Sequence, residues 1–175
     1  MQQIVIGLLT VLAALWVLIP QLLFTIDESE QATITQLGAY VRTMTEPALH
    51  TKIPFMQAVH RFDKRILADD ADPADYLTLD KKRLVVDYVA RWQIKAPLAL
   101  LISMGSLDGA KARIEDIVFS ELRPAIAEQD FAPVTSERQE PMTDAVANTA
   151  RARSAAFGIE LIDVQIERAD LPYKV

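Results

Sequence analysis

From Gln3 to Ile26 the chain carries no charged side chain and is apolar at nearly every position; it then turns acidic at Asp27, Glu28 and Glu30. As a helix, Ile4–Ile26 would measure about 34 Å at ~1.5 Å per residue, against a bilayer core about 30 Å thick. The pattern predicts a transmembrane anchor over residues 1–26. A cleaved secretory signal wants a basic start, an apolar core of about 7–15 residues and small residues at the cleavage point. Here Met1-Gln2-Gln3 has no Lys or Arg, the apolar core is longer, and no Ala-x-Ala pattern lies between Pro20 and Glu30. Pro20 leaves two forms of anchor open: a kinked single span, or a hairpin that dips into one leaflet. Lys and Arg near the ends of a span set its orientation. None occurs before Arg42, so the terminal amine favours the N-terminus inside and the domain outside.

Beyond the anchor the pattern predicts strands first and helices later. Gln31–Leu37 reads as a strand that turns at Gly38, with Tyr40–Arg42 pairing back. Glu46–His50 reads as a loop fixed by Pro47. Lys52–Phe55 and Ala58–Ile66 read as short extended segments, and Asp69–Asp75 as a polar turn. In Arg83–Lys95, Val86, Tyr88, Ala90, Trp92 and Ile94 alternate with polar or charged residues, the period of a half-buried antiparallel strand, and Leu77–Leu79 can pair with it across Asp80-Lys81-Lys82. The period then changes to that of helices: Pro97–Met104 closed by Gly105, Leu107–Gln129 with Pro124 inside it, and Pro141–Phe157 closed by Gly158. Met142, Ala145, Val146, Thr149, Ala150, Ala156 and Phe157 form the expected face of the last. Ser136-x-x-Gln139 resembles a capping box and competes with Pro141 as that helix's start. Ile159–Arg168 reads as the closing strand. The order predicts an α+β fold: an antiparallel sheet with packed helices after an N-terminal transmembrane helix.

The part after the anchor is the size of one ordinary domain. A net charge of −6 leaves no basic footprint for phosphates, so no nucleic-acid partner is expected. There is no cysteine, which excludes disulfides, thiol catalysis and thiolate metal sites. Gly-rich phosphate loops and G-x-S-x-G are absent, and the five glycines never cluster. His50 and His60 fall in segments read as loop and strand, without the partners a zinc site needs. The acids Asp69, Asp70, Asp72 and Asp75 fail as a calcium loop: counted from Asp70, position 6 is Asp75 rather than Gly and position 12 is Lys81 rather than Glu. Lys81-Lys82-Arg83 is a basic spot suited to lipid headgroups or to keeping a hairpin soluble. Arg151 and Arg153 read as surface charges or partner contacts. No nucleophile, base and orienter come together, so the chain is read as no enzyme, with no catalytic, metal or cofactor residues; a hydrolase whose catalytic residues are dispersed, with His50 or His60 among them, is the minor alternative. Phe55, Met56 and Phe62 are candidates for membrane or neighbour contact, set against core packing.

The segments Glu28–Ala32, Gln36-Leu37-Gly38, Glu46–Phe55, Phe62–Ile66, Thr78–Asp87, Ala90–Ile94, Phe157–Ile166 and Leu171-Pro172 together resemble the SPFH or band 7 family (stomatin, prohibitin, flotillin and HflK/C), and within it the HflC branch. Ala48 stands where the family commonly has Gly, and Gln36-Leu37-Gly38 replaces a basic-aromatic-Gly triplet. The resemblance implies an SPFH domain over residues 27–170, with 171–175 opening a C-terminal helix that the family uses for the wall of its assemblies. It implies a single-pass protein of the bacterial inner membrane, N-terminus cytoplasmic and domain periplasmic. Its role would be a scaffold subunit that joins an HflK-like paralogue in a ring or cage and modulates the membrane protease FtsH. A stomatin-like organiser of membrane microdomains, with a hairpin anchor and no protease partner, is the alternative.

Overall fold

The computed structural model describes residues 22–130 and 140–170. The chain divides into two compact units after Asp63.

In the first unit, β1 (Leu23–Ile26) pairs antiparallel with β4 (Ala48–Thr51), from Leu23 opposite Thr51 to Ile26 opposite Ala48. A three-stranded antiparallel sheet follows in the order β3 (Ala39–Met44), β2 (Glu30–Gln36), β5 (Gln57–Asp63). Strand β2 is central, and Gln31–Ile34 are buried on both of its faces. Phe24 and Ile26 of β1 join Ala32, Ile34, Met44 and Val59 in the core. Inside β2, the Thr33 and Thr43 hydroxyls lie 3.3 Å apart, so a polar pair is satisfied where the strand has no solvent.

Three expectations are corrected here. Leu23–Ile26 is strand, so the anchor over 1–26 loses its last four residues; apolar β1 forms because β4 supplies a partner for its backbone groups. Glu46–His50 is not all loop, because β4 starts directly after Pro47, and the segment Lys52–Phe55 is no strand: it runs into a turn over residues 54–56. The rest of the anchor lies outside the described residues; among those described, no helix is long and apolar enough to cross a membrane.

The second unit is built on β8 (Arg83–Ile94), whose alternate residues from Leu84 to Ile94 are buried as the period-two pattern predicts. Strand β9 (Ile159–Asp170) runs antiparallel along one edge. On the other edge β6 (Leu67–Asp70) and β7 (Ala74–Leu77) lie end to end, opposite Val89–Trp92 and Arg83–Val86. The polar turn expected over Asp69–Asp75 therefore shrinks to the residues between these strands: the unpaired edge of β8 recruits the acids flanking it, a tertiary effect that overrides their weak strand propensity. The single expected sheet is three sheets.

The helices are α1 (Pro97–Met104), α2 (Leu107–Ala127) and α3 (Glu140–Ser154). Ser106 caps α2 by accepting from the Gly109 N–H at 3.1 Å. Helix α2 continues through Pro124, within a turn of its end. The face that α3 buries is Thr143, Val146, Ala147, Ala150 and Ser154, rotated from the expected one so that Ala145 and Thr149 are exposed. That rotation follows from two arginines. Arg151 donates to the backbone carbonyls of Leu161 and Ile162 in β9, and Arg153 pairs with Glu121 and Ser120 of α2. Read from sequence as surface charges or partner contacts, both tie α3 to its neighbours. The capping box at Ser136 and Gln139 lies outside the described residues.

Candidate membrane and partner contact surface

The exposed apolar residues of the first unit gather at its turns. Between β2 and β3 the loop has only two residues, Leu37 (φ 49°) and Gly38 (φ 85°). Positive φ at both positions belongs to a type I′ hairpin, which favours Asn-Gly or Gly-Gly. A leucine is strained there by roughly 1–2 kcal/mol, and this one is 82% exposed. The second turn repeats the combination: Phe55 has φ 64° and is 88% exposed, flanked by exposed Ile53 and Met56.

The two turns touch. The Leu37 N–H donates to the Met56 carbonyl at 3.3 Å. Gln57 clamps the second turn: its side-chain oxygen accepts from the Ile53 N–H at 2.8 Å, its amide donates to Gln36 at 3.1 Å, and its N–H donates to the Ile53 carbonyl at 3.0 Å. On the other side the Lys52 N–H donates to the Leu22 carbonyl at 2.8 Å. The tip of Leu37, Ile53, Phe55 and Met56 therefore lies next to the place where the apolar N-terminal segment joins the fold. Two bulky side chains held in strained backbone and aimed at water would be stabilised by about 1.5–3 kcal/mol each on entering an apolar medium.

Of the expected contact residues, Phe55 and Met56 stand on this tip. Phe62 does not: it is 7% exposed, opposite Gln31 in the sheet, and has little surface to offer a neighbour. Leu37 was missed, having been read as the end of a strand; its signal is the bulky residue before Gly38 in a two-residue loop.

Chemistry elsewhere is sparse. His60 Nε2 lies 3.1 Å from the Thr35 hydroxyl, while His50, on a different sheet, packs against Phe24 with ring centroids 5.8 Å apart. Asp69, expected in the solvated turn, is largely buried and pairs with Lys111 at 2.9 Å, which raises the lysine's pKa. Carboxylate oxygens of Asp70, Asp87 and Glu167 lie within 4.8 Å of one another, with Asp70 and Glu167 exposed. Burial raises the Tyr76 hydroxyl to about 12 and Tyr88 further, so both are neutral, and Tyr88 donates to the Glu115 carbonyl at 3.3 Å. The Thr35 hydroxyl and His60 form a hydroxyl–imidazole pair between the neighbouring strands β2 and β5.

Residues 24–175 match the SPFH domain / Band 7 family. Protein HflC of Treponema pallidum is 33% identical over 110 residues, covering 63% of this chain and 33% of that protein. Protein HflC of Haemophilus influenzae is 29% identical over 136 residues, 74% of this chain and 46% of its own length. The modulator of FtsH protease HflC of Escherichia coli K12 is 24% identical over 199 aligned residues, 87% of this chain and 60% of its own length. The chain thus spans a third to three-fifths of the length of these curated relatives. With the family matching all but its first 23 residues, and with HflC proteins among its relatives, the chain belongs to the SPFH domain / Band 7 family and is most like HflC.

Proposed function

We propose that this chain is a membrane-tethered, non-catalytic scaffold subunit of the HflC type. It assembles with an HflK-like paralogue into a ring or cage and modulates an FtsH-like membrane protease. The anchor is a single span of the inner membrane with its N-terminus cytoplasmic and the folded part periplasmic. The observation that carries the reading is the strained apolar tip beside the entry point of the apolar segment. The shortened stretch Ile4–Leu22 still gives a helix of about 28 Å, close to one bilayer core. The name of the Escherichia coli relative supplies the protease. Tethering raises the effective concentration of subunits, and repeated head-to-tail contacts close into rings, so a domain without reactive groups acts by enclosing its partner.

In this reading Phe55, Met56 and Leu37 enter the interfacial layer of the bilayer. The chain has no cysteine, so Met56→Cys gives a unique site for an environment-sensitive fluorophore on the full chain in vesicles. Blue-shifted emission, quenched by lipid-borne quenchers, is expected. Emission like that of free dye in water would remove the tip from the membrane.

Pro20 favours the stomatin-like reading, in which a hairpin anchor leaves the domain cytoplasmic. Labelling of Ser106→Cys by an impermeant reagent from the periplasmic side is expected for the HflC-like topology; protection from it would decide for the hairpin.

A further inference from the structure

A groove of about 610 Å³ in the second unit has no place in the reading above. Five consecutive residues, Asp75–Leu79, line it. Successive residues of a strand point to opposite faces, so a groove that touches Asp75, Tyr76 and Leu77 of β7 alike runs along that strand's edge rather than over one face; Thr78 and Leu79 follow the strand, their N–H groups donating to the Lys82 and Gln129 carbonyls. Strand β7 pairs with β8, and among the described residues its other edge pairs with no strand. The far wall is Arg123 and Ala127, one turn apart on α2, and Lys81 and Arg83 complete the lining.

The chemistry of the lining is divided. Leu77 and Leu79 are 53% and 61% exposed. Lys81, Arg83 and Arg123 are exposed and have no carboxylate partner among the described residues, although the whole chain has a net charge of −6. Arg123 instead covers the Phe119 ring at 5.2 Å. The Tyr76 hydroxyl is buried at this groove without a hydrogen-bond partner among the described residues. The lining therefore offers an unpaired strand edge, two leucines, three cations against the single carboxylate of Asp75, and one unused hydroxyl.

We propose that this groove takes an extended peptide segment of a partner protein, acidic and apolar in alternation, which adds a strand to the free edge of β7. In such strand addition the backbone bonds hold the peptide, and alternate side chains select it. The peptide's apolar side chains cover Leu77 and Leu79, and its carboxylates meet Arg83, Arg123 and Lys81. A lipid headgroup could satisfy the cations, but it carries no backbone to pair with the strand edge.

The test uses the full chain in detergent and a fluorescein-labelled peptide of alternating Leu and Glu, read by anisotropy. Saturable binding is expected. It should weaken about tenfold or more when the peptide is N-methylated on its backbone, when Lys replaces Glu, and in the Arg83→Glu and Arg123→Glu variants. Both arginines are exposed, and the N-methylated peptide tests the wild-type chain directly, so the result does not depend on how a variant folds. Absence of saturable binding overturns the proposal, as does binding indifferent to N-methylation or to charge reversal. Charge-dependent retention on phosphatidylglycerol vesicles without peptide binding also overturns it, in favour of a headgroup site. Because the groove lies on the second unit, either result leaves the membrane role of the first unit to its own experiment.

Discussion

Leu37 and Phe55 hold the tension between stability and contact in this molecule. Each occupies a left-handed backbone position that suits glycine or asparagine, and each turns an apolar side chain to solvent. Leu37→Asn should relieve the turn and stabilise the fold by roughly 0.5–1 kcal/mol, a rise of about 2–4 °C in Tm at most for a chain of this size. The same change should weaken the engagement of the tip with lipid. Thermal unfolding and the emission of a fluorophore at Met56→Cys, measured on one variant, check both halves; a loss of stability would show that Leu37 serves the fold rather than a contact. At this scale the sequence was half legible. Phe55 and Met56 stand out as an apolar pair in a turn-prone stretch, but nothing in the period around Phe62 says that its face is covered. That depends on which strand lies opposite, and strand partners are set by distant residues. The groove beside β7 was not legible at all, since Arg123 comes to Leu77 only through the packing of α2.

Among the elements, legibility follows length. Strand β8 and helices α1 and α2 declare their period over many residues, and their boundaries fall close to the expected ones. The four-residue strands β1, β4, β6 and β7 have too few positions to show a period; each exists through its partner. Gly158 joins these elements. At φ 76° it accepts from the Lys95 and Ala96 N–H groups at 2.9 and 3.0 Å, and a Cβ there would run into the Ala96 carbonyl. Gly158→Ala should destabilise the second unit by about 3 kcal/mol or more, read as a lower denaturant midpoint; a shift under about 0.5 kcal/mol would show that the α3–β9 junction adapts. Ionisable groups at the turns predict the response to pH. Hydrogen bonds from Lys82 and then Thr78 hold Asp80 below its ordinary 3.8, and those from Gln93 and then Lys95 hold Glu160 below its ordinary 4.5. Their stabilisation is present above those ordinary values and is lost as pH falls through the depressed ones. Asp69 raises Lys111 above 10.5, so that contribution is present below 10.5 and is lost as pH rises through the raised value. Unfolding free energy should therefore be level from about pH 5 to pH 10 with respect to these groups and fall on either side. Asp80→Asn with Glu160→Gln should shallow the acid side, and an unchanged acid slope would assign it to other carboxylates.

For the whole molecule, the proposed role is that of a scaffold that acts through where it is held and what it surrounds. In the proposed role, the apolar N-terminal segment and the strained apolar tip place it on a membrane. Family membership and the HflC relatives support the proposed assembly. The most direct test is gentle detergent extraction of the tagged chain, followed by native mass measurement and identification of the proteins that come with it. The account predicts a species far larger than the 19.5 kDa chain, carrying a related SPFH subunit and an ATP-dependent membrane protease. A monomer extracted without either would contradict it.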